Sequence, residues 1–117
     1  MSNGRYISHR FPYVPVHIEV HNREADEEAL LDTGFDGDLA VPPGLVTNGQ
    51  PDGHLRWTLA DGSTILAPYY MGTISVQDMG PFPCVVTALG DEPLVGCGVA
   101  AHFTITLDHG QTLSVER

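Results

Sequence analysis

The sequence predicts an all-β fold, on three observations. Short segments rich in valine, isoleucine, leucine and threonine recur along the 117 residues, separated by glycine, proline and Asp/Asn turns. One of them, residues 15–21, alternates with a period of two, putting Val16, Ile18 and Val20 on one face and His17, Glu19 and His21 on the other. Helical character is confined to residues 98–102, about two turns, and Gly98 weakens even those.

Taken in order, the elements follow from local chemistry. The alternating strand is followed by an acidic turn expected around Asp26 and then by a strand from Glu28 to Asp32. A short strand over residues 39–41 ends at Pro42-Pro43, because proline has no N–H to give a ladder. Residues 51–54 lead into Trp57-Thr58-Leu59-Ala60-Asp61-Gly62-Ser63-Thr64-Ile65, a hairpin signal in which Asp-Gly supplies the positive φ of a tight turn. Residues 69–76 and 83–88 predict a second hairpin around Gln77-Asp78-Met79-Gly80. Residues 104–107 and 112–115 predict a closing one through Asp108-His109-Gly110. Residues 1–117 are expected to form a single domain with a modest core, without internal repeats.

Chemistry concentrates in Ala29-Leu30-Leu31-Asp32-Thr33-Gly34-Phe35-Asp36-Gly37. An apolar run delivers one carboxylate to the end of a strand, where it is costly unless hydrogen-bonded, paired or protonated, and a glycine-permitted turn follows at once. Asp-Thr-Gly after apolar residues is the signature of aspartic proteases, and this segment resembles the retropepsin-like branch, clan AA, in its single-domain bacterial form. Glu92-Pro93-Leu94-Val95-Gly96-Cys97-Gly98 lies where retropepsins carry two apolar residues and a glycine leading into a short helix. The 57–65 hairpin lies where they carry the flap, the lid over a bound peptide.

The resemblance implies a closed β-barrel with a flap hairpin and one short helix. It makes Asp32 the catalytic acid, Thr33 and Gly34 its support, and Ala60, Asp61 and Gly62 the substrate-facing flap tip. A second Asp-Thr-Gly or Asp-Ser-Gly is absent, and 117 residues are too few for two lobes, so a catalytic Asp32 must meet its twin in a homodimer. The implied reaction is endopeptidase hydrolysis of a peptide or protein substrate by water that the two acids activate, with no cofactor and no metal. The alternative is a dimeric module of the same fold that binds peptides without cleaving them. A monomeric barrel in which Asp32 only caps a turn is a third reading. The charged tip Ala60-Asp61-Gly62-Ser63 and the leucine-free Val99-Ala100-Ala101-His102 depart from the retroviral pattern.

Composition narrows the partners. Net charge is −10, lysine is absent, and Arg5, Arg10, Arg23, Arg56 and Arg117 are the only cationic side chains, so the clustered charge that nucleic acid requires is missing. No apolar run reaches membrane-spanning length and the start of the chain lacks a signal-like core, which leads to a cytoplasmic expectation. Cys84 and Cys97 sit in apolar surroundings; a disulfide is possible, and two buried free thiols are expected in a reducing compartment. A calcium loop starting at Asp32 fails, because its third position is Gly34 and its twelfth is Pro43. His17, Glu19 and His21 read as the solvated face of a half-buried strand, and Asp36 and Asp38 as turn formers facing water. Phe35 either walls a pocket or packs under the loop, and Trp57 and Tyr69-Tyr70 line a cleft or pack across strands.

Overall fold

The computed structural model describes residues 4–46 and 49–117. In chain order the strands are β1 (Arg5–Ser8), β2 (Tyr13–Val20), β3 (Arg23–Leu31), β4 (Leu39–Val41), β5 (Gly53–Thr58), β6 (Thr64–Val76), β7 (Met79–Ala88), β8 (Leu94–Val95), β9 (Thr104–Asp108) and β10 (Thr112–Glu116). A single helical turn at Pro43–Leu45 follows β4, and α1 (Cys97–Ala100) follows β8.

The expected alternation in β2 is what builds the core. Val14, Val16, Ile18 and Val20 are all buried, while His17 and Glu19 face outward from the same strand. β2 pairs antiparallel with β3 along its whole length, so the chain reverses at His21 and Asn22. Both have positive φ, the requirement of a two-residue turn that matches strand twist. From the sequence this turn is expected around Asp26, with the strand starting at Glu28. Asp26 instead lies within β3 opposite His17, because the ladder extends through the acidic stretch once its side chains can point to water.

The larger sheet runs β2-β3-β8-β4-β7-β6, and a further β2–β6 pairing closes it into a barrel, with β5 attached outside β6. β6 is one continuous strand, so the flap hairpin β5–β6 and the β6–β7 hairpin share it. Val76 pairs with Met79, which shortens the expected four-residue turn to Gln77-Asp78. Leu39, Val41, Ile74 and Val86 fill the interior and are each almost wholly buried. Full burial of a side chain of this size stabilises by about 1.5–3 kcal/mol relative to exposure.

A second, three-stranded sheet, β1-β10-β9, joins the two ends of the described chain and sets Leu113 and Val115 into the core. β1 was not expected from sequence, because four residues carry too little periodicity to read. α1 is one turn rather than two. No helix among the described residues is long and apolar enough to cross a membrane. The expectation about the start of the chain draws in part on residues 1–3, outside the described residues.

Candidate active site

Asp32 is the first residue beyond β3, and the chain from there loops out and returns as β4. β8 lies between the two arms of this loop. It runs parallel to β3, with Leu30 opposite Leu94 and Leu31 opposite Val95, and antiparallel to β4, with Leu39 opposite Val95. The Asp32 N–H donates to the Val95 carbonyl at 2.9 Å. Beyond β8 the amides of Gly96, Cys97 and Gly98 donate to the carbonyls of Asp38, Phe35 and Gly37 at 2.9, 3.0 and 3.1 Å. The loop is thus laced to a second segment at almost every turn of its backbone.

That lacing demands glycine. A Cβ on Gly96 would overlap the carbonyl oxygen of Gly37 and meet Phe35, and a Cβ on Gly98 would overlap the Asp38 carboxylate. The pattern Leu94-Val95-Gly96 therefore does what the sequence reading expected of it: two apolar residues beside the loop, then a residue without a side chain.

Within the loop the Gly34 N–H donates to Asp32 Oδ1 at 3.0 Å, which orients the carboxylate. Asp32 is half-buried, whereas Thr33 and Gly34 are exposed. Asp36 faces water as expected. Asp38 does not: it is half-buried, and its Oδ2 accepts the Val85 N–H of β7 at 2.8 Å, pinning the returning arm of the loop to the barrel. The parallel pairing of β4 with β7 brings that amide within reach, a proximity invisible in sequence.

The two cysteines are free and unlike each other. Cys84 is buried, and burial, with the nearby Asp38 carboxylate adding to it, pushes its thiol up to about 12. Cys97 is exposed, against expectation, and its Sγ donates to the Thr33 carbonyl at 3.2 Å. Its place at the start of α1, against the outer side of the loop, keeps it from the core.

The flap tip is tied by its own charge. Asp61 Oδ1 accepts both the N–H and the hydroxyl of Ser63, at 2.9 and 2.5 Å, and the hydroxyl bond holds the Asp61 carboxyl below its usual range. The Leu59 N–H donates to the Ser63 carbonyl at 2.7 Å, and Gly62 takes the positive φ the turn needs. Ala60, Asp61 and Gly62 are all exposed. Near the tip end of this arm Trp57 packs on Phe35, ring centroids 5.1 Å apart and planes tilted by 46°. Of the two expectations for Phe35, packing against the loop is the one its contacts meet, since its ring also closes on Gly37 and Gly96.

The residues that could hold a metal among those described lie elsewhere. His17, Glu19 and Glu24, on the outer face of β2–β3, bring their ligand atoms within 4.8 Å of one another. His17 Nδ1 is bonded to Asp26 at 2.8 Å and Nε2 to Glu24 at 2.9 Å, so both ring nitrogens already have carboxylate partners. His21 does not join them; it turns to Asp52 at 3.2 Å and sets its ring edge-on to Tyr70. A concavity of about 860 Å³ between β1 and β2–β3, lined by Tyr6, His17, Asp26 and Asp78, is likewise remote from Asp32.

The fold defined by these elements is the retropepsin-like all-β fold of aspartic proteases. The chain is similar to the crystal structure of a retropepsin-like aspartic protease from Rickettsia conorii, with a TM-score of 0.57, 16% identity, and 96% of this chain and 90% of that one covered. It is also similar to the solution structure of simian foamy virus (mac) protease, with a TM-score of 0.53, 19% identity, and 74% of this chain and 91% of that one covered. At these identities the likeness is one of fold. No protein-family model matches the chain, and no curated protein matches it in sequence.

Proposed function

We propose that the chain is an aspartic endopeptidase of clan AA that works as a homodimer, with Asp32 contributed by each of two subunits. The observation that carries this reading is the Asp32 loop itself: a half-buried carboxylate at a strand end, oriented by the Gly34 amide and held between β3 and β4 by β8. So much backbone bonding around a single acid makes sense if its position has to be reproducible. The exposed Thr33 and Gly34 leave the loop open to a twin.

Two carboxyls brought together on a twofold axis cannot both ionise comfortably and share one proton across a wide pH range. The ionised one takes a proton from a bound water while the protonated one donates to the scissile carbonyl oxygen. Water attacks without a covalent intermediate, and the pair titrates as a unit. Thr33 braces the two loops across the axis. The substrate is an extended peptide that pairs its main chain as an added strand between the loops and the flap tips at Ala60, Asp61 and Gly62. Two free thiols support a reducing compartment, the cytoplasm.

The test is a mixed peptide library incubated with the protein and, in parallel, with its Asp32→Asn variant. Cleavage products from the first and none from the second are expected, with a bell-shaped dependence on pH in the acid range. Peptide retention by both proteins without products would leave the non-catalytic binding module as the reading.

A further inference from the structure

Trp57 is the single tryptophan of the chain, and its indole N–H has no acceptor: Nε1 is buried, and no protein group among the described residues bonds to it. A buried tryptophan N–H ordinarily finds a partner, and leaving one unmade costs about 1–3 kcal/mol. Its surroundings explain why the free subunit offers nothing. Trp57 lies against Phe35, and a methyl placed on Gly37 would meet both Phe35 Cζ at 2.6 Å and Trp57 Cη2 at 2.9 Å, so the indole is wedged onto the Asp32 loop. Directly across the hairpin stands Ile65, and Leu55 and Leu59 share the face by alternation. These three side chains are 37–39% exposed and follow one another along one stretch of the hairpin, an apolar patch rather than scattered single residues.

An apolar wall containing one unsatisfied donor, beside the candidate catalytic loop, has the composition of a ligand-binding surface. We propose that the Trp57 indole N–H is a substrate-recognising donor, covered while the flap arm rests on the Asp32 loop, which takes a main-chain carbonyl of the bound peptide as its acceptor when the arm lifts to admit it. This rests on the aspartic peptidase reading only in supplying the peptide; the donor itself would serve a binding module equally. Phe35 is the positioning residue, since its ring and its carbonyl bond to the Cys97 N–H hold the indole at the loop.

A lone tryptophan makes the test direct. The Asp32→Asn protein, which binds without turnover, is titrated with the mixed peptide library while its single indole ¹⁵N–¹H resonance is followed. A downfield shift of that resonance and slowed exchange of its proton are the expected result. In the enzyme with Asp32 intact, Trp57→Phe, checked as folded by its thermal transition, should raise KM roughly three- to tenfold with kcat little changed, as loss of a uniform binding contact does. An indole signal that stays put while flap amides shift would overturn the proposal, as would one already downfield in free protein and indifferent to peptide, the mark of a trapped water. If no resonance in the protein responds to any peptide, the proposal also fails. An indole shift without any cleavage would sustain it and sink the peptidase reading instead.

Discussion

Gly96 and Gly98 decide whether the Asp32 loop can close, because each sits where a backbone or carboxylate oxygen of the loop occupies the space of a Cβ. Gly98→Ala should therefore destabilise by about 1–3 kcal/mol, the usual cost of forcing extra atoms into a packed site. Urea unfolding measures it, and an unchanged midpoint would mean that the approach of α1 to Asp38 is looser than the geometry requires. Cys84 makes a second prediction at this scale. With its thiol raised to about 12 by burial, it should resist alkylation at neutral pH until the protein unfolds. Mass spectrometry after iodoacetamide treatment reads this directly, and rapid labelling of folded Cys84 would contradict it. At the residue scale Asp32 and Gly34 were legible, because an acid followed by a turn-permitting glycine announces its need for an amide partner two residues on. Asp38 was not, since its partner Val85 is 47 positions away and only the β4–β7 pairing brings it near.

Among the elements, the β2–β3 hairpin carries the clearest pH signature. The bond from Asp26, with Glu24 assisting, raises His17 above its ordinary 6.5 despite the opposing effect of burial. A group raised on folding contributes stability that is complete below its unfolded value and is lost as pH rises through its folded one. The hairpin should thus loosen as pH rises above the ordinary histidine value of 6.5 and through the raised folded one, and Asp26→Asn should lower the His17 midpoint. NMR titration of the His17 ring tests both; a midpoint indifferent to Asp26→Asn would show that the contact has no energetic weight. The elements that were misjudged share a cause. The stretch Arg23-Glu24-Ala25-Asp26-Glu27 looks like a solvated turn in isolation, yet β2 recruits it as a strand because a ladder partner with a buried valine face outweighs weak β-propensity. The flap arms were readable, because Asp-Gly at a tip is a local property.

For the whole molecule, a site shared between subunits makes a prediction that a self-contained one does not. Where wild-type and Asp32→Asn chains are mixed equally and exchange freely, pairing statistics leave about a quarter of the activity of an all-wild-type sample at equal total concentration. A site within one subunit would leave about half. A tagged chain that pulls down an untagged one establishes exchange, and a linear fall of activity with wild-type fraction would then rule out the shared dyad. Strong net charge of −10 does not forbid such pairing, because screening beyond about 8–10 Å at ordinary ionic strength confines repulsion to charges near the contact.

What the sequence determined by itself is what rests on neighbours along the chain: strand periodicity, the proline stop after Val41, the Asp-Gly tip of the flap, and a carboxylate run out to a strand end beside a glycine. These depend on φ/ψ preference and side-chain alternation, which a few adjacent residues are enough to specify. Only the tertiary structure decided the rest. β8, two residues long, acquires its place between β3 and β4 from hydrogen bonds to segments more than 50 positions away in β3 and β4. The split between an inert Cys84 and an exposed Cys97, the capture of Asp38 by Val85, and the wedging of Trp57 onto Phe35 are all products of packing between segments distant along the chain. Burial and the partners of a polar group are properties of the space around a residue, and in a closed barrel that space is furnished by strands distant in sequence.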